Sequence, residues 1–186
     1  MREVVFLLEE LSAREMLKGL LPRLGFAQED TRVRYIVFEG KSDLDRQLVR
    51  KLQGYQVPDA RFVILRDKDS ADCHDLKKEL LRKCREAGKD DALVRIACHE
   101  IESWYLADLA AVEKALSISG LSEKQDRASL RKPDALPNAS EQLERLTNHV
   151  YQKVGGSRAI GPHLDPENTR SRSFSVFVEG VRRLVS

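Results

Sequence analysis

Four short apolar runs, each followed by a stretch with helical spacing, constrain this chain most. Val4-Val5-Phe6-Leu7-Leu8, Tyr35-Ile36-Val37-Phe38, Phe62-Val63-Ile64-Leu65 and Leu93-Val94-Arg95-Ile96-Ala97 have the length and composition of strands. Between them Leu17, Leu20, Leu21 and Leu24, then Leu44, Leu48 and Leu52, then Leu76, Leu80 and Cys84 recur at the spacing of one helix face. Strands that alternate with helices form parallel sheets covered on both faces, because each parallel connection must cross the sheet. Near-continuous apolar strands say the same. The pattern predicts an α/β fold, a mostly parallel sheet flanked by helices.

Local signals mark the joints. Ser12, three residues before Glu15, predicts a capping box that opens the first helix. Asp72 is placed to cap the third helix and Gly88 to close it, and one helix is expected from about Glu102 to Leu116. From Ser117 the pattern loosens around Pro133 and Pro137, and Leu143, Leu146 and Val150 mark a short helix. Gly155-Gly156 to Pro166 reads as a loop, ordered or flexible. Phe174, Phe177, Val178, Val181 and Leu184 predict a final amphipathic helix. The expected organisation is an α/β core over 1–116 and a helical and loop extension over 117–186 packed on it. With 186 residues, 41% of them hydrophobic, there is material for one well-buried domain.

Acids collect where the apolar runs end: Glu9 and Glu10, Glu39, Asp67 and Asp69, Glu100 and Glu102. Parallel strands bring their C-terminal ends to one edge, where open α/β sheets hold ligands. On extended backbone Asp67 and Asp69 point the same way, and two carboxylates there form a site for a hard divalent cation such as Mg²⁺. Carboxylates brought within about 4–6 Å raise one another's pKa unless a cation neutralises them. The alternative is that each acid sits alone at a helix N-terminus, favourable with the macrodipole.

Other motifs carry less. Gly40-Lys41-Ser42 is not a Walker loop, since Tyr35 stands where that pattern needs a glycine. Lys41 and Ser42 read as a single-phosphate contact or as a solvated side chain and a helix cap. Cys73-His74 and Cys98-His99 lack the spacing of structural zinc sites, no serine lies in a G-x-S-x-G elbow, and Trp104 and Tyr105 read as core aromatics. Lys153, Arg158, Arg170 and Arg172, among Gly155, Gly156, Ser157, Ser171 and Ser173, suit phosphate contacts or a solvated polar loop. A balance of 32 basic against 30 acidic residues gives no global field that forces a nucleic-acid partner, so such binding must come from local clustering. Three cysteines without a CxxC pair fit a reducing cytosol. No apolar stretch approaches the roughly 20 residues of a membrane span, and Met1-Arg2-Glu3 does not open a signal peptide. The expectation is a soluble, cytoplasmic protein with no membrane partner.

A glutamate after the first strand and Asp-x-Asp after a later one, in an alternating chain, resemble the Toprim fold of topoisomerases, primases and the overcoming-lysogenization-defect nucleases. More closely, Phe6-Leu7-Leu8-Glu9, Gly40-Lys41-Ser42-Asp43-Leu44, the run from Arg61 to Ser70, the run from Arg95 to Asp108, Tyr151-Gln152-Lys153 and Ser171-Arg172-Ser173-Phe174 resemble a family of short bacterial Toprim-like proteins. Members of that family are often encoded beside an ABC-type ATPase, and some serve as the nuclease effector of two-component anti-phage systems. The resemblance implies a Mg²⁺-dependent nucleic-acid phosphodiesterase, with Mn²⁺ as a substitute ion and RNA, including tRNA, or DNA as substrate. It implies Asp67 and Asp69 as metal ligands and Glu9 as ligand or general acid/base; on the residues themselves, Glu100 and Glu102 are expected to help with a second ion, and Lys41, Lys153, Arg158 and Arg172 to contact substrate. The partners it implies are nucleic acid, an ABC-type ATPase and a second copy of the chain in a homodimer.

The first motif departs from the family's pattern. Glu10 stands where a glycine is common, and Ala13 where an acid is common after the small hydroxyl residue. Glu39, followed by Gly40-Lys41-Ser42-Asp43, is therefore the alternative acid, although the count of strands and helices before Asp67 favours Glu9. The rival reading is a non-catalytic Toprim-like subunit that binds nucleic acid or the ATPase. A receiver-like or haloacid-dehalogenase-like phosphotransferase fits less well, because its nucleophilic aspartate follows the first strand, and strand one here ends in glutamates.

Overall fold

The computed structural model describes residues 2–26, 30–69 and 71–185; Ser70, at the end of the third-strand motif, lies outside them. β1 (Arg2–Leu8), α1 (Leu11–Leu20), β2 (Thr31–Val37), α2 (Lys41–Gln53), β3 (Arg61–Asp67), α3 (Cys73–Glu86) and β4 (Leu93–Ala97) alternate as the periodicity predicts. The four strands pair in parallel in the order β2-β1-β3-β4, with Leu8 opposite Val37 on one side and Leu65 on the other. The C-terminal ends of the two central strands are thus adjacent.

Alternation along β1 and β3 feeds two apolar layers. Val4, Phe6, Leu8, Val63 and Leu65 face a layer with α1 and the C-terminal helices, while Val5, Leu7, Phe62 and Ile64 face Leu44, Leu48 and Leu52 of α2 and Leu80 and Cys84 of α3. Each fully buried side chain of this size contributes about 1.5–3 kcal/mol to the folded state. The C-terminal helices are α4 (Glu102–Leu106), α5 (Leu109–Leu116), α6 (Ala139–Leu146), α7 (Lys153–Ile160) and α8 (Arg172–Arg182). Phe174, Phe177, Val178 and Val181 of α8 are buried in the first layer, as their spacing predicts, and so are Trp104 and Tyr105.

Three local expectations are corrected. Helix α1 starts after Glu10, so Ser12 lies inside it and no capping box forms; Glu15 turns instead to Arg158 at 2.7 Å and Lys18 at 3.0 Å. The helix expected from Glu102 to Leu116 is two, because the Asp108 carboxylate accepts the Ala111 N–H at 3.1 Å and caps a new start. Gly155 and Gly156 lie inside α7 rather than in a loop. The reason is close approach: a Cβ on Gly156 would sit 2.3 Å from the Tyr151 ring, and one on Gly161, just past α7, 2.3 Å from the Met16 carbonyl oxygen of α1.

Candidate functional site

Because β1 and β3 are neighbours, Glu9 and Asp67 meet at the sheet edge, and the Asp67 N–H donates to a Glu9 carboxylate oxygen at 3.3 Å. Glu9 is 8% exposed. Burial pushes its carboxyl up from the usual range; Arg66, whose Nε lies 3.8 Å away, opposes this, while Asp69 and Glu10 add repulsion. Arg66 is itself buried, pairs with Asp45, and keeps its Nε without a hydrogen-bond partner. Glu10 is held by the Lys153 ammonium at 2.6 Å.

Glu102, the first residue of α4, is 0% exposed. The Tyr151 hydroxyl donates to its Oε1 at 2.9 Å, whereas its Oε2 has no partner. Burial raises the Glu102 pKa against the pull of Lys153 and Tyr151. Asp67 is pushed well above the ordinary carboxylate range, first by burial, then by Glu102, Glu9 and Glu10, with Lys153 opposing. Asp67, Glu9, Glu10 and Glu102 thus form one repelling group with Lys153 as its cation.

Other expected residues take different places. Strand β3 ends at Asp67, and Asp69 adopts a left-handed backbone with φ 52°, so the alternation argument does not reach it. Its N–H donates to the His99 carbonyl at 2.9 Å, and its carboxylate meets Lys41 Nζ at 3.1 Å on the rim. Glu100 does not face Asp67: its Oε2 accepts the Ser140 N–H at 2.9 Å and anchors the first turn of α6, although its charge still acts on Glu102. Glu39 is exposed, which leaves Glu9 as the acid beside Asp67. Arg158 pairs through its Nε with the buried Glu15 at 2.7 Å, and Arg172 lines a separate cleft. Cys73 and Cys98 share that cleft without assembling a metal site. Reading the sequence missed Tyr151 and Arg66; an arginine ending a buried apolar run was the signal available for the second.

The donors are all hard carboxylate oxygens, and the unpartnered buried oxygen of Glu102 is what an ion such as Mg²⁺ would satisfy. The chemistry of the set fits the ion. Among the described residues, however, no three His, Cys, Asp or Glu side chains are arranged around one ion position.

A four-stranded parallel sheet with helices on both faces and acids at its C-terminal edge places the chain among α/β folds. The C-terminal region of the Burkholderia pseudomallei OLD protein has this fold, with a TM-score of 0.50 and 16% identity over 98% of each chain. The same region of the Xanthomonas campestris pv. campestris OLD protein gives 0.49 and 16%, covering 98% of this chain and 95% of that one. Residues 8–182 match the model of the family described as a domain of unknown function, DUF4276, and the chain belongs to that family. No curated protein matches it. No helix among the described residues is long and apolar enough to cross a membrane.

Proposed function

We propose that the chain is a Mg²⁺-dependent nucleic-acid phosphodiesterase of Toprim type. The observation that carries this reading is the convergence of Glu9, Asp67 and Glu102 from three elements onto one buried edge, with Lys153 beside them and one oxygen of Glu102 left bare. A protein keeps such a repelling group where charge must be met by a ligand. Asp67 and Glu102 would hold Mg²⁺, with Asp69 joining once Lys41 yields it. Bound there, the ion supplies charge neutralisation at the scissile phosphate and a more acidic attacking water. Glu9, whose raised pKa lets it keep a proton at higher pH than a free glutamate, is suited to orient that water and exchange its proton. Lys153 and Lys41 meet the phosphate oxygens.

The test is cleavage of RNA and DNA with and without Mg²⁺ or Mn²⁺ by wild type and Asp67→Ala. Loss of a metal ligand should lower the rate about 100-fold or more, several kcal/mol of transition-state stabilisation. Equal background in both proteins sinks the proposal. We further propose that the activity serves an anti-phage system beside an ABC-type ATPase, to be checked by co-purification with that ATPase and by phage plating, and that the chain acts as a homodimer, to be checked by sedimentation. The pairing of Asp69 with Lys41, and the absence among the described residues of a ready-made three-ligand set, favour one second reading, a non-catalytic subunit that binds nucleic acid or the ATPase. It predicts oligonucleotide binding unchanged by chelator and no cleavage.

A further inference from the structure

A second concavity opens next to the acids, at the free edge of the sheet. Edge strand β4 gives its floor, the first turns of α3 one wall and the start of α8 the other. It encloses about 540 Å³, within the roughly 300–1,000 Å³ of ordinary ligand sites. Its lining is both apolar and cationic: Ile96 lies on the β4 floor and Val176, 38% exposed, on the α8 wall with Arg172, while Lys77 stands on the α3 wall.

The charges that line it are unequal in freedom. Asp134 is held by its own wall, accepting the Ser171 hydroxyl at 2.6 Å, the Ser173 hydroxyl at 3.0 Å and the Ser173 N–H at 2.8 Å, and keeps its negative charge, which is felt at Cys98, against the three cations Lys77, Arg95 and Arg172. Arg95 is held as well, donating to the carbonyls of Val176 at 3.0 Å and Val94 at 2.9 Å. Lys77 and Arg172 have neither an ion-pair nor a hydrogen-bond partner among the described residues. The cleft therefore offers two unspent cations on either side of an apolar floor, which suits an anion attached to a flat apolar body.

It is also continuous with the acid edge. The Lys68 N–H donates to the Ala97 carbonyl at 2.9 Å and the Asp69 N–H to that of His99 at 2.9 Å, so the Asp-x-Asp loop is zipped to the turn that carries Cys98 into the cleft. Lys68 lies between the two aspartates in the chain, and its charge is felt at Cys98.

We infer that this cleft holds the nucleotide next to the one cleaved, with its phosphate between Lys77 and Arg172 and its base against Ile96 and Val176, so that the substrate is a single strand. The inference rests on the phosphodiesterase reading and adds the strandedness of the substrate. Bases in a duplex are paired and stacked and cannot reach an apolar floor, whereas those of a single strand are free to do so.

The experiment is fluorescence anisotropy of a short labelled single-stranded oligodeoxynucleotide, titrated with the intact protein in chelator. Lys77→Ala combined with Arg172→Ala should weaken binding about tenfold and make the slope of log affinity against log salt shallower by about 0.7, the value for the one single-strand phosphate that the protein no longer neutralises. Val176→Trp fills the cleft without changing its charge and should weaken binding at least about fivefold, with circular dichroism confirming the fold of both variants. An unchanged salt slope, an unaffected Val176→Trp protein, or a duplex bound as tightly as the single strand each overturns the inference. Because the assay contains no divalent ion, failure of cleavage by wild type would sink the nuclease reading and leave this result legible.

Discussion

Replacing Asp67 by asparagine should make the metal-free protein more stable. Asparagine keeps the size of the side chain and removes one charge from a group in which Glu102, Glu9 and Glu10 repel it, with Lys153 opposing them at Asp67 and Arg66 at Glu9. The Asp67 N–H that serves Glu9 is retained, since it belongs to the backbone. Relief of a buried, incompletely compensated polar group is worth about 1–3 kcal/mol, and at about 2–4 °C per kcal/mol for a chain of this size the melting temperature should rise by about 2–12 °C. The dependence on pH follows from the direction of the shift. The folded-state pKa of Asp67 is raised, so wild type is unpenalised below the unfolded value near 3.9 and loses stability as pH rises towards and through the folded value. The gap between variant and wild type should therefore be small near pH 4 and widen towards pH 8. Saturating Mg²⁺ should reverse the order, because only wild type gains from the ion, about 2.7 kcal/mol at a concentration 100 times its dissociation constant. Scanning calorimetry at several pH values, in chelator and in magnesium, reads all of this. A variant less stable than wild type in chelator at every pH would refute the reasoning, since Asp67 would then be satisfied by its neighbours as it stands.

Two further perturbations test the frame that holds the site. Gly161→Ala would put a Cβ against the Met16 carbonyl oxygen, a backbone atom with little room to yield, and should cost about 1–3 kcal/mol in urea denaturation; a neutral effect would show that α7 and α1 are not packed as described. Glu15, 2% exposed with its pKa lowered to about 2, contributes stability that is fully present above its unfolded pKa of 4.5 and lost as pH falls through the folded value. Allowing for the solvent exposure of Arg158 and Lys18, Glu15→Gln should cost about 1–2 kcal/mol at neutral pH and nothing near pH 2, a convergence measurable by acid-dependent urea melts.

Strands, sheet class and the first three helices were legible because periodicity and buried apolar runs are local properties of the chain. So were Asp72, which caps α3 by accepting from His74 and Asp75, and the apolar stripe of α8. Gly156 in α7 was not, since what requires it is a tyrosine ring folding back against it, a tertiary fact. Asp69 misled for a different reason: alternation presumes extended backbone, and the chain leaves the extended region two residues past Asp67. Glu102 was visible as an acid at a strand end. That it would be sealed from solvent, and met by a hydroxyl 49 positions later in the chain, depends on packing that no local pattern encodes.

The bond from Tyr151 to Glu102 and the grip of Lys153 on Glu10 have a consequence for the order in which the molecule is made. Sheet and acids are all translated before residue 117, yet the hydroxyl and the ammonium that complete their surroundings emerge afterwards, with α8 last of all to seal Trp104. A nascent chain carrying the whole acidic edge therefore still lacks the arrangement described above. On the proposed phosphodiesterase reading, and with synthesis carried out by a machine built largely of RNA, that delay would be a safeguard written into the sequence order itself.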